Sequence, residues 1–423
     1  MKTKIIRPCY NLTGLVILFA FALYLTLLIS FDYSTSSRGR NGSLSPLVNN
    51  FADAINSSQN SKNHRNFRDL SKENQNTSDL DSCFGQYIYL HDLPRRFNDG
   101  VVNNCTLLCK WFDMCPFIKL GPWSSIGRYL WGDDYSMRDS LSTDMCNWLV
   151  SQPEWKRMLG RDHFFVAGKI AWDFHRQSDN RFYWGSKLNT FPEFMNMTML
   201  TIESSFRSNE FSIPYPSNFH PSSKGEVLEW QNKMRNRTRR HLFSFAGKQR
   251  PSMKDSIRSQ IIRQCLASGT FCKLIECFPK PEGTTCDNPV AVVEPPGDSY
   301  TRRSTFDAIL ARCIPVFFHP SSAYDQYQWH LPKNSSKYSV FIPMDDIRDG
   351  KVSINMTLDQ VSKDDIWAMR EEVIRLIPNI VYANPRSTME SLEDAFSIAV
   401  KGVLERVGNI RKITWERKDP SIA

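Results

Sequence analysis

The chain has 423 residues, of which 41% are hydrophobic and 12% aromatic, so most of it can fold and its length favours more than one hydrophobic core. The formal net charge of +9 suits an anionic partner. Lys and Arg are scattered without a basic block, which argues against a nucleic acid partner and favours a small phosphorylated ligand.

An uncharged apolar segment at residues 11–31 is long enough to cross about 30 Å of hydrocarbon as a helix. Lys2, Lys4 and Arg7 precede it, and the positive-inside rule then places residues 1–10 in the cytoplasm and the rest of the chain in a lumen. A cleaved signal peptide is the alternative, but the apolar run exceeds a typical signal core and no clear small-residue cleavage site follows. We therefore expect a single-pass type II membrane protein.

The segment after the anchor, residues 32–82, is rich in Ser and Asn and has neither a helical nor a strand period, which predicts a disordered luminal stem. The cysteines beyond it fall into an early and a later group, and we expect disulfides within each group, as is usual in a lumen. The groups are Cys83, Cys105, Cys109, Cys115 and Cys146, and then Cys265, Cys272, Cys277, Cys286 and Cys313. Sequons for N-glycosylation support the same location, at Asn41, Asn56, Asn76, Asn104, Asn196, Asn236, Asn334 and Asn355.

Short apolar runs ended by polar loops begin near Cys83 and predict buried strands. The first series is QYIYL (86–90), HFFVAG (163–168), MTMLTIES (197–204) and FSIPYP (211–216). The second is HLFSFAGK (241–248), CKLIEC (272–277), PVAVVEPP (289–296), CIPVFF (313–318) and YSVFIP (338–343), with helical patterns at 253–266, 364–377 and 391–407. Strands alternating with helices predict two doubly wound α/β domains, 83–238 and 239–423. The site should lie in the cleft between them, beyond the carboxyl ends of the strands.

The stretch EPPGDSYTRRSTFDAILARCIPV (294–316) predicts a strand, a turn and a helix whose N-cap is Asp298 or Ser299. The apolar positions 306, 309, 310 and 313 make one stripe that faces the sheet. Ser299, Tyr300 and Thr301 would then supply hydroxyls and free amides at the first helical turn, where a diphosphate is favoured.

Charged residues on the same helix extend this hypothesis. Arg302 and Arg303 can add bidentate hydrogen bonds to a phosphate, and Asp307 can accept hydrogen bonds from ribose hydroxyls. On spacing alone, an Arg303–Asp307 surface ion pair explains the pattern equally well.

The run PPGDSYTRRSTFDAILARCIPVFFHPSSAYDQYQWHLP (295–332) closely resembles the plant exostosin-type enzymes of glycosyltransferase family 47, in the xyloglucan galactosyltransferase branch. Further motifs match in order: YIYLHDLPRRFN (87–98), VAGKIAWDFHR (166–176), MLTIESS (199–205), IPYPSNFHP (213–221), LFSFAGKQRP (242–251) and YSVFIP (338–343). The resemblance implies a GT-B-like fold of two Rossmann-like domains with an interdomain cleft, a UDP-sugar donor, Golgi residence, no metal or other cofactor, and inversion at the anomeric carbon. One departure is Arg312, which stands where the family commonly has the glycine that caps this helix.

Candidate donor-binding residues follow from that resemblance. Lys248 and Arg250 lie in the loop after the first strand of the second domain, where a GT-B enzyme needs donors near the sugar-linked phosphate. Without a metal, Arg302, Arg303, Lys248 and the helix dipole must neutralise the departing UDP. We interpret the acidic pairs at 133–134 and 345–346 as loop residues and predict no metal site.

An inverting transfer needs a base for the acceptor hydroxyl. Asp173, Glu203 and Asp92 each lie just beyond a predicted strand and are the candidates, although each also suits a cap or a loop anchor. Trp172 and the aromatic residues of 323–332 can stack on acceptor sugars or pack in the core.

The sequence therefore predicts a Golgi enzyme that transfers galactose from UDP-galactose to xylose side chains of xyloglucan. UDP-galacturonate or UDP-arabinopyranose are alternative donors. A catalytically silent partner of other Golgi glycosyltransferases is the alternative from another class.

Overall fold

Two parallel β-sheets organise this protein in its computed structural model, which describes residues 88–91, 93–97, 139–179, 183, 185–253, 256–275, 289–384 and 393–416. The first sheet has the order β1-β2-β3 and the second has the order β5-β4-β6-β7-β8, with every neighbouring pair parallel. The strands are β1 Phe164–Val166, β2 Thr198–Thr201, β3 Glu210–Ser212, β4 His241–Ala246, β5 Cys272–Ile275, β6 Pro289–Glu294, β7 Ile314–Phe317 and β8 Val340–Phe341. The predicted α/β fold with parallel sheets is confirmed.

The helices of the described residues connect these strands or cover the sheets. They are α1 Ser140–Ser151, α2 Trp155–Met158, α3 Pro192–Asn196, α4 Lys224–Arg235, α5 Arg258–Ala267, α6 Arg303–Leu310, α7 Met344–Arg348, α8 Ile354–Asp359, α9 Lys363–Arg375, α10 Ile377–Ile380 and α11 Ala395–Glu416.

Both faces of the second sheet are buried, which explains why its strands are apolar at nearly every position. On β6, Ala291 and Val293 face a core formed with α5, α7 and α8, whereas Val292 packs against α6. On β7, Phe317 faces a second core that α4, α6 and α10 help to form. A disulfide between Cys265 and Cys272 joins the end of α5 to β5, and it lies within the later cysteine group, as predicted.

The strand order of the second sheet fixes where a ligand can bind. The chain moves from β4 to β5 on one side and then returns to place β6 on the other side of β4. The connections that follow β4 and β6 therefore leave these strands in opposite directions. A crevice opens between the carboxyl ends of the two strands. Gly247 follows β4 at this crevice, and Pro295 follows β6.

Two helices pack across the predicted domain boundary near residue 238. Helix α4 precedes the boundary but packs on the second sheet, where Val227 joins the core around Phe306. Helix α11 is at the C-terminal end of the described chain but packs on the first sheet through Ala399 and Val403. The described residues belong to one unit, Gly85–Ala423.

Several sequence predictions concern residues that the structure does not describe. Segments 1–10, 11–31 and 32–82 lie outside the described residues, and so does Asp92. Within the described ranges, no helix is both long and apolar enough to span a bilayer. Residues 88–90 of the predicted strand 86–90 are described and are not in a strand.

Candidate functional site

Helix α6 begins later than the sequence predicts. Its first residue is Arg303 and its N-cap position is Arg302, so the predicted N-cap at Asp298 or Ser299 is wrong. The intervening residues form a loop in which the Gly297 amide bonds the carbonyl of Ser299. The amide of Thr301 donates to the Glu203 carboxylate at 2.8 Å, and this tertiary contact holds the chain extended where a helical turn was expected.

The end of α6 shows why Arg312 is tolerated in place of glycine. Arg312 has a φ of 59°, and the Cys313 amide bonds the carbonyl of Ala308, which is the pattern of a left-handed helix cap. The guanidinium of Arg312 donates to the carbonyl of Arg235 at 2.8 Å and to the carboxylate of Glu371 at 2.6 Å. These bonds offset the strain that a side chain incurs in this conformation.

Arg302 folds back over the loop that follows β6. Its guanidinium donates to the carbonyl of Thr301 at 2.6 Å and to the hydroxyl of Ser299 at 3.3 Å. A Cβ atom on Gly297 would lie 1.7 Å from an Arg302 nitrogen, so glycine allows the guanidinium to take this position. Burial lowers the pKa of Arg302, although nearby Tyr215 and acidic groups oppose the shift.

Two further arginines converge on the crevice between β4 and β6. Arg250 pairs with Asp298 at 3.1 Å. Arg258, the first residue of α5, is buried beside Gly247 and donates to the carbonyl of Pro296 at 3.3 Å. Burial lowers the pKa of Arg258 to about 10, and the charges of Arg302 and Arg250 add to that shift. A cluster of like charges of this kind favours an anion.

Sequence reasoning missed Arg258. The available signal was an arginine at the start of the helix that follows β4, the position that faces a ligand when the strand lies at a switch point. The sequence alone does not show that β4 lies at a switch point, because this depends on the strand order.

Arg303 and Asp307 form the ion pair that the spacing predicts, with 3.6 Å between Nε and Oδ2. Arg303 also donates to the side chain of Asn218 at 2.9 Å. Asn218 lies between β3 and α4, so this bond ties α6 to the segment that links the two sheets. Arg303 is only partly exposed to solvent.

The remaining donor-site candidates lie at the same edge of the second sheet. Lys248 is exposed just after β4, and Ser299 is half-buried in the loop after β6. Tyr300 is exposed and stacks on His319, which follows β7, with 4.2 Å between ring centroids. Arg250 and Asp298 form a contact between the segments that follow β4 and β6, and the assignment of these residues to a donor site stays a prediction.

Glu203 connects this edge to the first sheet. It is buried, and its carboxylate accepts hydrogen bonds from both the amide and the hydroxyl of Thr301. That hydroxyl also bonds Tyr215 at 3.0 Å. Burial raises the pKa of Tyr215 to about 12 despite the bond to Thr301, and Glu203 and Asp173 both contribute to the upward shift.

Asp173 lies in a 3-10 turn, Ala171–Phe174, just after β1. Its carboxylate is largely buried, 3.8 Å from the ammonium of Lys169, and it shares the neighbourhood of Tyr215 with Glu203 and Arg302. This carboxylate is therefore close to Tyr215, whose hydroxyl contacts Thr301 in the loop before α6.

The aromatic residues of 323–332 are mainly structural. Tyr327 is fully buried, and Trp329 stacks on Phe211 at 4.5 Å between ring centroids. Trp172, in contrast, is exposed beside Asp173. No three His, Cys, Asp or Glu side chains within the described part of the chain are grouped as metal ligands would be, and the predicted lack of a metal requirement stays a prediction.

Known proteins resemble this chain along most of its length. Residues 123–358 match the Exostosin GT47 domain. The "Probable xyloglucan galactosyltransferase GT12" of Arabidopsis thaliana is 41% identical, over 88% of this chain and 87% of that protein. "Xyloglucan galactosyltransferase MUR3" of the same plant is 43% identical, over 78% of this chain and 64% of that protein. "Xyloglucan-specific galacturonosyltransferase 1", also from A. thaliana, is 32% identical, over 77% of this chain and 58% of that protein.

Similarity to solved structures is distant. The pneumococcal O-GlcNAc transferase GtfA, solved with UDP and GlcNAc, aligns with a TM-score of 0.31 at 8% identity, over 63% of this chain and 58% of that chain. The sequence matches, in contrast, extend over most of the chain. This chain therefore belongs to the Exostosin GT47 family and is a glycosyltransferase.

Proposed function

We propose that this glycosyltransferase transfers galactose from UDP-galactose to xylose side chains of xyloglucan, with inversion at the anomeric carbon. The observation that carries the proposal is the convergence of Arg250, Arg258 and Arg302 on the crevice between β4 and β6. An activated sugar has a diphosphate that such a cluster can bind, and two of the three relatives named above are xyloglucan galactosyltransferases, one of them by the description "probable".

The donor diphosphate binds at the switch point of the second sheet. Helices α5 and α6 both start at this edge, and their first turns favour negative charge. Arg302 and Arg258 supply charge-assisted hydrogen bonds, and exposed Lys248 neutralises the UDP that leaves. Repulsion among the arginines is relieved when the diphosphate arrives. This strengthens donor binding without a metal ion.

The transfer step needs a base on the side of the first sheet. The acceptor hydroxyl oxygen attacks the anomeric carbon as the bond from that carbon to the diphosphate oxygen breaks. The carboxylate of Asp173 takes the hydroxyl proton, and UDP retains the bonding electrons. Glu203 is less suited to this step because Thr301 already occupies one of its carboxylate oxygens with two hydrogen bonds.

The wider architecture belongs to the same proposal. The two parallel sheets correspond to the two halves of a GT-B-like enzyme, one on the acceptor side and one on the donor side. Residues 11–31 anchor the chain in the Golgi membrane, and the stem holds the enzymatic part in the lumen, where UDP-sugars and the polysaccharide meet.

Galacturonate is the second candidate for the transferred sugar. One relative is a xyloglucan-specific galacturonosyltransferase at 32% identity, and the arginine-rich surroundings of the site suit a donor with an additional carboxylate.

The test is to produce the full chain in a secretory host and offer it UDP-galactose, UDP-galacturonate and UDP-arabinopyranose together with xylosylated glucan oligosaccharides. We expect galactosylated xylose as the product, identified by mass spectrometry and linkage analysis. Transfer of galacturonate alone supports the second candidate, and UDP binding without any transfer supports a silent partner. A chain that does not bind UDP contradicts the donor site.

A further inference from the structure

Phe206 has a backbone conformation that aromatic residues rarely adopt. Among the described residues, the non-glycine positions with positive φ are Leu159, Phe206 and Arg312. Leu159 is the C-cap of α2, and Arg312 follows the end of α6, so helix termination explains both. Phe206, with a φ of 68°, lies in the loop between β2 and β3 and ends no helix. Such strain costs about 1–3 kcal/mol and is found mainly at functional sites.

Buried polar groups hold this loop in place. The hydroxyl of Ser204 accepts the Phe206 amide at 2.9 Å. The amide and hydroxyl of Ser205 both donate to the Glu210 carboxylate, at 2.7 and 2.9 Å. His175 contacts the other oxygen of that carboxylate at 2.5 Å. These hydrogen bonds fix the backbone of the loop, whereas Phe206 is 55% exposed to solvent.

The loop that contains Phe206 contacts the segment that contains the candidate base. The hydroxyl of Ser205 lies 3.2 Å from Nδ1 of His175, which directly follows the turn that contains Asp173 and Trp172. Trp172 is 40% exposed. Two exposed aromatic residues, Phe206 and Trp172, thus lie in contacting loops at the carboxyl edge of the first sheet.

We propose that Phe206, together with Trp172, forms the platform on which pyranose rings of the acceptor stack. The inference rests on the proposed function and assigns the acceptor subsite within it. A pyranose presents an apolar C–H face that packs against an aromatic ring while its hydroxyls stay hydrated at the rim. The occupant is an uncharged xylosylated glucan chain, because the two loops adjoin the base that takes the proton of a sugar hydroxyl. The strain at Phe206 is retained because it presents the ring to that chain.

Replacement of Phe206 by glycine gives a clean test, because glycine adopts positive φ readily. Phe206→Gly removes the ring and relieves the strain. We expect unchanged or higher thermal stability, unchanged affinity for UDP, and a KM for xylosylated glucan oligosaccharides that rises at least about tenfold, equivalent to about 1.4 kcal/mol. Phe206→Trp should keep the KM near that of the wild type.

The control is Phe271→Gly. Phe271 is equally exposed, at 55%, but it lies directly before β5, at the amino ends of the strands of the second sheet. It should leave the acceptor KM unchanged. An unchanged KM in Phe206→Gly, with the wild type active, overturns the platform but leaves the proposed function intact. A wild-type chain that neither binds nor modifies these oligosaccharides overturns both.

Discussion

The carboxylate of Glu203 bonds both the amide and the hydroxyl of Thr301, a residue 98 positions later in the chain. This contact joins the end of β2 to the loop that precedes α6. One buried side chain therefore sets the position of the donor-side loop relative to the first sheet.

Glu203 is expected to act structurally. Glu203→Ala should lower the free energy of unfolding by about 1–3 kcal/mol, because the fully buried Thr301 amide loses its acceptor. Glu203→Gln keeps an acceptor oxygen and should retain transfer activity within a few-fold. Denaturant unfolding and initial rates measure both effects. Loss of transfer in Glu203→Gln, with the fold and UDP binding intact, would instead identify Glu203 as the base.

Asp173→Asn should retain UDP binding and lose transfer, since an amide cannot accept the proton from the acceptor hydroxyl. Calorimetry measures the first effect and product formation the second. The matched control is Asp162→Asn, because Asp162 precedes β1 and its side chain is 13% exposed against 12% for Asp173. A normal transfer rate in Asp173→Asn would show that the base lies elsewhere.

Arg258→Ala should weaken UDP binding by about 10- to 100-fold, since a hydrogen bond to a charged group is worth about 1.5–3 kcal/mol. Arg263→Ala is the control, because Arg263 is exposed on the same helix and its guanidinium bonds Gln260. Titration of UDP into each variant measures the difference. Equal affinities in the two variants would remove Arg258 from the donor site.

Gly297→Ala should weaken UDP binding through Arg302, whose guanidinium the new methyl group would displace. The fold should survive, since the displaced atoms are the end of a flexible side chain. Gly408→Ala on α11 meets no atom within 4 Å and should leave UDP affinity unchanged while stabilising the helix by up to about 1 kcal/mol. If Gly297→Ala binds UDP normally, the placement of Arg302 does not matter for the donor.

His330 should make stability depend on pH. It is buried, and its Nε2–H donates to the carbonyl of Ala395 at 3.0 Å. Burial lowers the pKa of His330 from 6.5 to about 4, although the Ala395 carbonyl and Asp394 oppose the shift. Between pH 6.5 and 4 the unfolded chain therefore binds a proton that the folded chain does not. The free energy of unfolding should fall by up to about 3 kcal/mol as the pH is lowered through this range.

Denaturant titrations at several pH values compare the wild type with His330→Gln, which cannot titrate there. The variant should lose this part of the pH dependence. An unchanged slope between pH 6.5 and 4 would show that His330 does not cause it.

Eight of the predicted strands and the apolar face of α6 could be read from the sequence, because these depend on the alternation and spacing of neighbouring side chains. Its motifs also indicated the family and most of the residues of the proposed donor site. It placed the start of α6 too early, because local propensity does not include the bond from Thr301 to Glu203.

The remaining features depend on tertiary contacts. The strand order puts β4 beside β6, and this brings Arg258 to the proposed donor site. The packing of α4 and α11 across the predicted boundary, and the strained backbone of Phe206, likewise depend on contacts between residues far apart in the chain. Such contacts form because they lower the free energy of the whole fold, so no local sequence pattern predicts them.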